Sequence, residues 1–133
     1  QLNRGSLPRK KRHILVVDDE PSWRKVLALF LHHKGYNVKE AGSGAEALKT
    51  LSKFKPDLIF SDVRMPEMNG FDLLDNIKKV PSLSSTPVVF CSAIDDFEAK
   101  KVAKDLGAAG YLVKPFDDEE ISSILSSAFP RSL

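Results

Sequence analysis

Three aspartates, a serine and a lysine stand just past the ends of four short apolar runs, and their side chains are the ones in this chain best suited to chemistry. Asp18-Asp19-Glu20 follows His13-Ile14-Leu15-Val16-Val17, and Asp62 follows Asp57-Leu58-Ile59-Phe60-Ser61. Ser92 follows Pro87-Val88-Val89-Phe90-Cys91, and Lys114-Pro115 follows Gly110-Tyr111-Leu112-Val113. Brought into one crevice, the three carboxylates would repel by about 4 kcal/mol per pair at a separation of ~4 Å and an effective dielectric near ~20. A raised pKa or a bound cation would relieve them. Oxygen donors with no histidine in these loops favour a hard divalent ion, magnesium first and manganese as a substitute.

A carboxylate in such a setting can be a nucleophile that takes a phosphoryl group. Phosphoryl transfer asks for in-line placement and charge neutralisation more than for acid-base help. A cation bridging acceptor and phosphoryl oxygens, the Lys114 charge and the Ser92 hydroxyl would complete the parts. Each residue alone has an ordinary reading: aspartates after strands cap helices or solvate loops, Ser92 could cap a helix, and Lys114 could be a surface lysine. The coincidence of all of them argues for a site.

The elements that must position these residues alternate along the chain. The runs before Asp18, Asp62 and Ser92 are nearly continuous in apolar residues, as strands covered on both faces are. Tyr36-Asn37-Val38-Lys39-Glu40 alternates and suits a sheet edge, and Gly110–Val113 makes a fifth strand. Between them lie helical periods, with Val26, Leu27, Phe30 and Leu31 predicted on the core face of the first and Ile121, Ile124, Leu125 and Ala128 on that of the last. Capping boxes are expected at Ser43/Glu46, Asp95/Glu98 and Asp117/Glu120, with Pro21 at a first helical position and Asn69-Gly70 opening the third helix. Gly35 and Gly107 stand where the first and fourth helices should end. Five βα units with right-handed crossovers bring all five strand ends to one edge of a parallel sheet, where ligands bind.

The chain has 133 residues, 42% hydrophobic and 29% charged, the profile of one folded domain. No apolar run reaches the length of a membrane span and no signal peptide is evident, so a cytoplasmic location is expected. Five of the basic residues, Arg4, Arg9, Lys10, Lys11 and Arg12, fall in the first twelve positions, and the rest of the chain carries 15 basic against 18 acidic side chains. The body is thus mildly acidic and offers nothing to bind nucleic acid. Residues 1–12 read as a basic linker or tag-like segment, 13–129 as the domain and 130–133 as a tail. Cys91, the single cysteine, reads as a small core residue, and Met65 and Met68 as turn packing.

Asp18-Asp19, Asp62 within Ser61-Asp62-Val63-Arg64-Met65-Pro66-Glu67-Met68-Asn69-Gly70, Ser92-Ala93 and Tyr111-Leu112-Val113-Lys114-Pro115-Phe116 together resemble the response-regulator receiver family, over roughly residues 13 to 129. The resemblance implies a flavodoxin-like (βα)5 fold, a doubly wound parallel sheet of strand order 2-1-3-4-5. It implies Asp62 as phosphoacceptor, with magnesium held by Asp19, Asp62 and the backbone carbonyl of Arg64, and by Asp18 mainly through water. Lys114 would contact the phosphoryl group, Ser92 and Tyr111 would switch with its arrival, and Lys114-Pro115 would be cis. The implied donors are a histidine kinase or a histidine phosphotransfer protein, with an output domain or effector downstream. The fourth helix, fifth strand and fifth helix would form the output face and a dimer contact. The domain would promote its own phosphorylation and dephosphorylation without being an enzyme in the ordinary sense.

Arg64 and Ile94, two residues beyond Asp62 and Ser92, would flank the approach to the acyl phosphate. Arg64 could shield the phosphoryl group or pair with Glu67. Trp23 is expected on the first helix near the acidic pocket. Three rivals differ in class: a receiver-shaped interaction module independent of phosphorylation, a flavin mononucleotide carrier, and an aspartyl-phosphate phosphatase. The intact acceptor, acids and lysine argue against the first. Asp18-Asp19-Glu20 would repel a flavin phosphate, and a phosphatase would want an acid where Arg64 stands.

Overall fold

The computed structural model describes residues 11–93 and 95–130; Ile94, most of the basic run and the last tail residues lie outside them. Five strands, β1 (His13–Val17), β2 (Asn37–Ala41), β3 (Leu58–Asp62), β4 (Val88–Ala93) and β5 (Gly110–Lys114), alternate with five helices. These are α1 (Pro21–His33), α2 (Gly44–Leu51), α3 (Gly70–Lys78), α4 (Phe97–Asp105) and α5 (Asp118–Ala128). All strand pairs are parallel, in the order β2-β1-β3-β4-β5. The doubly wound architecture and the edge position of β2 are as the sequence implied.

Successive side chains on a strand point to opposite faces, so each central strand feeds two cores. Ile14, Val16, Leu58 and Phe60 pack with Leu27 and Leu31 of α1 and Ile121 and Leu125 of α5. Leu15, Val17 and Ile59 pack on the other face with Ala47 of α2, Leu73 and Ile77 of α3, and Ala103 of α4. These strand residues are at most 1% exposed, and burying each large apolar side chain stabilises the fold by roughly 1.5–3 kcal/mol. Cys91 belongs to the first of these cores, as expected, and burial pushes its thiol pKa up.

Helix starts follow the sequence with two adjustments. The Asp117/Glu120 capping box is complete, at 2.9 and 3.1 Å. Ser43 caps α2, but the Glu46 carboxylate reaches back to the Gly42 N–H instead of closing a box on Ser43. At α4 the cap is Asp96, not Asp95: β4 runs on to Ala93 and the helix begins one residue later than expected, so the Asp96 carboxylate accepts from the Ala99 N–H at 3.2 Å. Asn69 opens α3 within a full capping box whose partner is Asp72. Gly35 and Gly107 hold φ of 98° and 75° just past α1 and α4.

Val26 departs from the expected core face of α1 and is 64% exposed. The buried face centres on Leu27 and Leu31, and Val26 stands about 100° away from Leu27 around the helix, a rotation that takes it off the sheet. No helix among the described residues is long and apolar enough to cross a membrane.

Candidate functional site

The register of the sheet decides what meets at its carboxyl edge. Asp62 is the last residue of β3 and sits beside Cys91 of β4, while Lys114 ends β5 beside Ala93. Asp18 and Asp19 follow β1 directly, and the Asp18 N–H donates to the Ala41 carbonyl of β2 at 3.1 Å. The structure therefore brings together Asp18, Asp19, Asp62 and Lys114 of the residues that the sequence singled out. One carboxylate oxygen each from Asp18, Asp19 and Asp62 lies within 4.8 Å of the other two. Lys114 Nζ donates to Asp18 Oδ2 at 2.9 Å and stands 3.6 Å from Asp62 Oδ1 and 4.0 Å from Glu20.

The electrostatics of this pocket are unbalanced. Asp62 is 9% exposed, and its carboxyl pKa is raised to about 7, first by burial and then by the negative charge of Asp18, with a smaller push from Asp19. Lys114 and the Val63 N–H, which donates to Asp62 Oδ1 at 3.1 Å, pull in the other direction without cancelling it. Burial opposes the charge on Lys114, yet the Asp18 hydrogen bond and the charges of Asp62 and Asp18 carry its pKa above the usual value. One ammonium thus faces three clustered carboxylates. Oxygen-only donors and surplus negative charge are the properties of a pocket that suits a hard divalent cation.

Several neighbours that the sequence did not announce set the geometry. Arg24 on the first turn of α1 donates through Nη1 to the Asp18 carbonyl at 2.9 Å and through Nε to Glu40 at 3.1 Å, fixing the loop that carries the acid pair. An arginine on a helix facing a strand-end glutamate has no sequence signature of its own, because the contact spans β2 and α1. Gly70 N donates to the Val63 carbonyl at 2.8 Å, and a Cβ at Gly70 would collide with the Asp62 backbone oxygen, so only glycine lets α3 start this close to β3. Trp23 lies by the pocket as expected: its ring is 5.4 Å from that of Phe116 and 5.3 Å from Lys114 Nζ. Met65 is buried and Met68 packs over Gly44, in keeping with turn packing.

On the α4 side of the pocket Arg64 pairs with Asp96 and not with Glu67. Arg64 grips Asp96 with two hydrogen bonds, Nε to Oδ2 at 2.8 Å and Nη2 to Oδ1 at 3.0 Å, and Glu98 follows at 3.8 Å. Glu67 makes none of these contacts; it turns in the left-handed region at φ 67°. The Asp96 grip raises the Arg64 pKa and, reciprocally, holds the Asp96 carboxyl below its usual value. Ser92 is buried, and its hydroxyl donates to the Ala93 carbonyl at 3.5 Å. The Tyr111 hydroxyl reaches the Asp96 carbonyl at 3.5 Å. The Lys114-Pro115 bond is cis.

Known proteins share this fold. The sequence model of the response regulator receiver domain matches residues 14–126. The transcriptional regulatory protein GlrR of Escherichia coli is 37% identical over 123 residues, covering 92% of this chain and 27% of the relative. The sensory transduction protein LytT of Enterococcus faecalis is 38% identical over 121 residues, 87% of this chain and 47% of the relative. The chain spans about half the length, or less, of the curated relatives it matches. Among solved structures, the chemotaxis protein CheY4 of Vibrio cholerae superposes with a TM-score of 0.83 at 34% identity, covering 90% of this chain and all of that one. With a family match across most of the chain, a shared strand order and relatives above 30% identity, this chain belongs to the response regulator receiver domain family of two-component signalling.

Proposed function

We propose that the chain is a phosphorylatable switch in which Asp62 accepts a phosphoryl group from a phosphohistidine of a histidine kinase or phosphotransfer protein. The observation that carries this reading is the pairing at one sheet edge of a buried carboxylate with a lysine ammonium 3.6 Å away and two further acids within reach. In the transfer, an Asp62 oxygen forms a bond to phosphorus as the phosphorus–nitrogen bond of the donor breaks and the imidazole leaves with the bonding pair. Hydrolysis reverses the gain: a water oxygen bonds to phosphorus, the Asp62 oxygen–phosphorus bond breaks, and inorganic phosphate and the carboxylate are released. Asp62 supplies the nucleophilic oxygen, Lys114 supplies positive charge to the phosphoryl oxygens, and the Ser92 hydroxyl offers a hydrogen bond. Asp18, Asp19, Asp62 and the Arg64 carbonyl are the ligands proposed for magnesium, which when bound neutralises the acids and the phosphoryl oxygens.

In this reading phosphorylation biases a face made of α4, β5 and α5, with Ser92 and Tyr111 as the side chains that respond, and two copies or an effector meet on that face. The domain works in the cytoplasm and passes its state to an output domain or partner protein. Mass spectrometry after incubation with acetyl phosphate and magnesium tests the central step. Wild type should gain the mass of one phosphoryl group and Asp62→Ala none; an unmodified wild type would overturn the reading.

A further inference from the structure

Asp96 is an anion already seated on Arg64, the side chain two residues beyond the proposed phosphoacceptor. Its carboxylate accepts both hydrogen bonds of the Arg64 guanidinium, at 2.8 and 3.0 Å, while capping the Ala99 N–H of α4 at 3.2 Å. The Tyr111 hydroxyl reaches the backbone oxygen of the same residue at 3.5 Å. Arg64 stands two residues beyond Asp62, and Ser92 one residue beyond Cys91, the β4 partner of Asp62. The carboxylate offers the guanidinium two acceptor oxygens, as two oxygens of a tetrahedral phosphoryl group also would. Arg64 is 59% exposed at its side chain while Asp96 is 15% exposed, so the arginine is the member free to swing.

We propose that Asp96 competes with the phosphoryl group for Arg64, acting as a positioning residue that holds the guanidinium on the α4 side until a stronger anion arrives at Asp62. This rests on the reading of Asp62 as phosphoacceptor. A phosphoryl group brings more negative charge than one carboxylate, so its arrival draws Arg64 away and leaves Asp96 to Ala99 and Tyr111. The first turn of α4 then loses its tie to the β3–α3 loop. The competition lowers the affinity of the pocket for a phosphoryl-like anion by an amount set by the strength of the ion pair.

Calorimetric titration with the phosphoryl analogue beryllofluoride in saturating magnesium, on wild type, Asp96→Asn, Arg64→Ala and the double variant, measures this directly. Asparagine caps a helix as well as aspartate does, so Asp96→Asn leaves α4 intact while removing the charge that holds Arg64. It should tighten binding about two- to fivefold, the equilibrium equivalent of an exposed ion pair. In the Arg64→Ala background the same substitution should change nothing. A merely structural role for Asp96 predicts equal effects with and without Arg64, and that outcome, or unchanged binding by Asp96→Asn, overturns the proposal. A wild type that gains no mass from acetyl phosphate sinks the acceptor reading and this proposal together, whereas normal phosphorylation with no dependence on Asp96 sinks this proposal alone.

Discussion

Asp62 is held in a place that resists its own ionisation. Burial and the neighbouring Asp18 and Asp19 keep its pKa near about 7, well above that of an unfolded aspartate. Between about pH 4 and that value the folded chain retains a proton that the unfolded chain has released. The native state binds more protons there, so stability falls as pH rises through that window and the loss is complete above it. Thermal unfolding in chelator-containing buffer should show this decline for wild type, and Asp62→Asn should flatten it and unfold at a higher temperature at neutral pH. A wild-type profile indistinguishable from that of the variant would show that the strain at Asp62 has been misjudged. The same surplus charge that destabilises the empty pocket is what suits it to a cation. Asp96 titrates in the opposite sense: Arg64 holds its pKa down, so its contribution is present at neutral pH and lost on acidification.

At the scale of elements, caps separate residues that look alike in sequence. Asp117→Ala removes a complete capping box and should cost about 1 kcal/mol in denaturant unfolding, whereas Asp95→Ala, one residue outside the α4 cap, should stay within roughly 0.5 kcal/mol of wild type. Asp95 and Asp96 also show where sequence reading stops. Both offer a carboxylate near the start of α4, and the choice depends on how far β4 continues, which the pairing with β5 decides. The strands themselves were legible because continuous β-branched and aromatic runs ended at acids and turn signals. The α1 stripe was legible at Leu27 and Leu31 but not at Val26, whose exposure follows from the rotation of the helix on the sheet. The pocket was legible through Asp18, Asp19, Asp62 and Lys114, since parallel topology sends all strand ends to one edge. Arg24 and the Arg64–Asp96 grip were not, because each joins elements distant in the chain through a side chain common on any surface.

Across the whole molecule, one ligand site at the sheet edge touches β1, β3 and β5 and so bears on the stability of the entire cooperative unit. A ligand that binds only the folded form stabilises it by about 2.7 kcal/mol at a hundredfold excess over Kd, which corresponds to a rise in Tm of roughly 8–10 °C for a domain of this size. Magnesium should produce such a rise in wild type, and Asp19→Asn and Asp62→Asn should lose most of it. An equal rise in all three proteins would place the ion elsewhere. Curated regulators that match this chain run to about twice its length or more, whereas CheY4 is matched along its whole length.

Cys91 lies beside Asp62 in the sheet, with its thiol buried and its pKa pushed up. Its sulfur can meet a thiol-reactive reagent only when β3, β4 and their covering helices part. The chain therefore carries its own clock: the rate at which that single thiol is trapped counts how often the molecule opens, and a change in that rate on loading Asp62 would read out, without any added label, how firmly the signal grips the core.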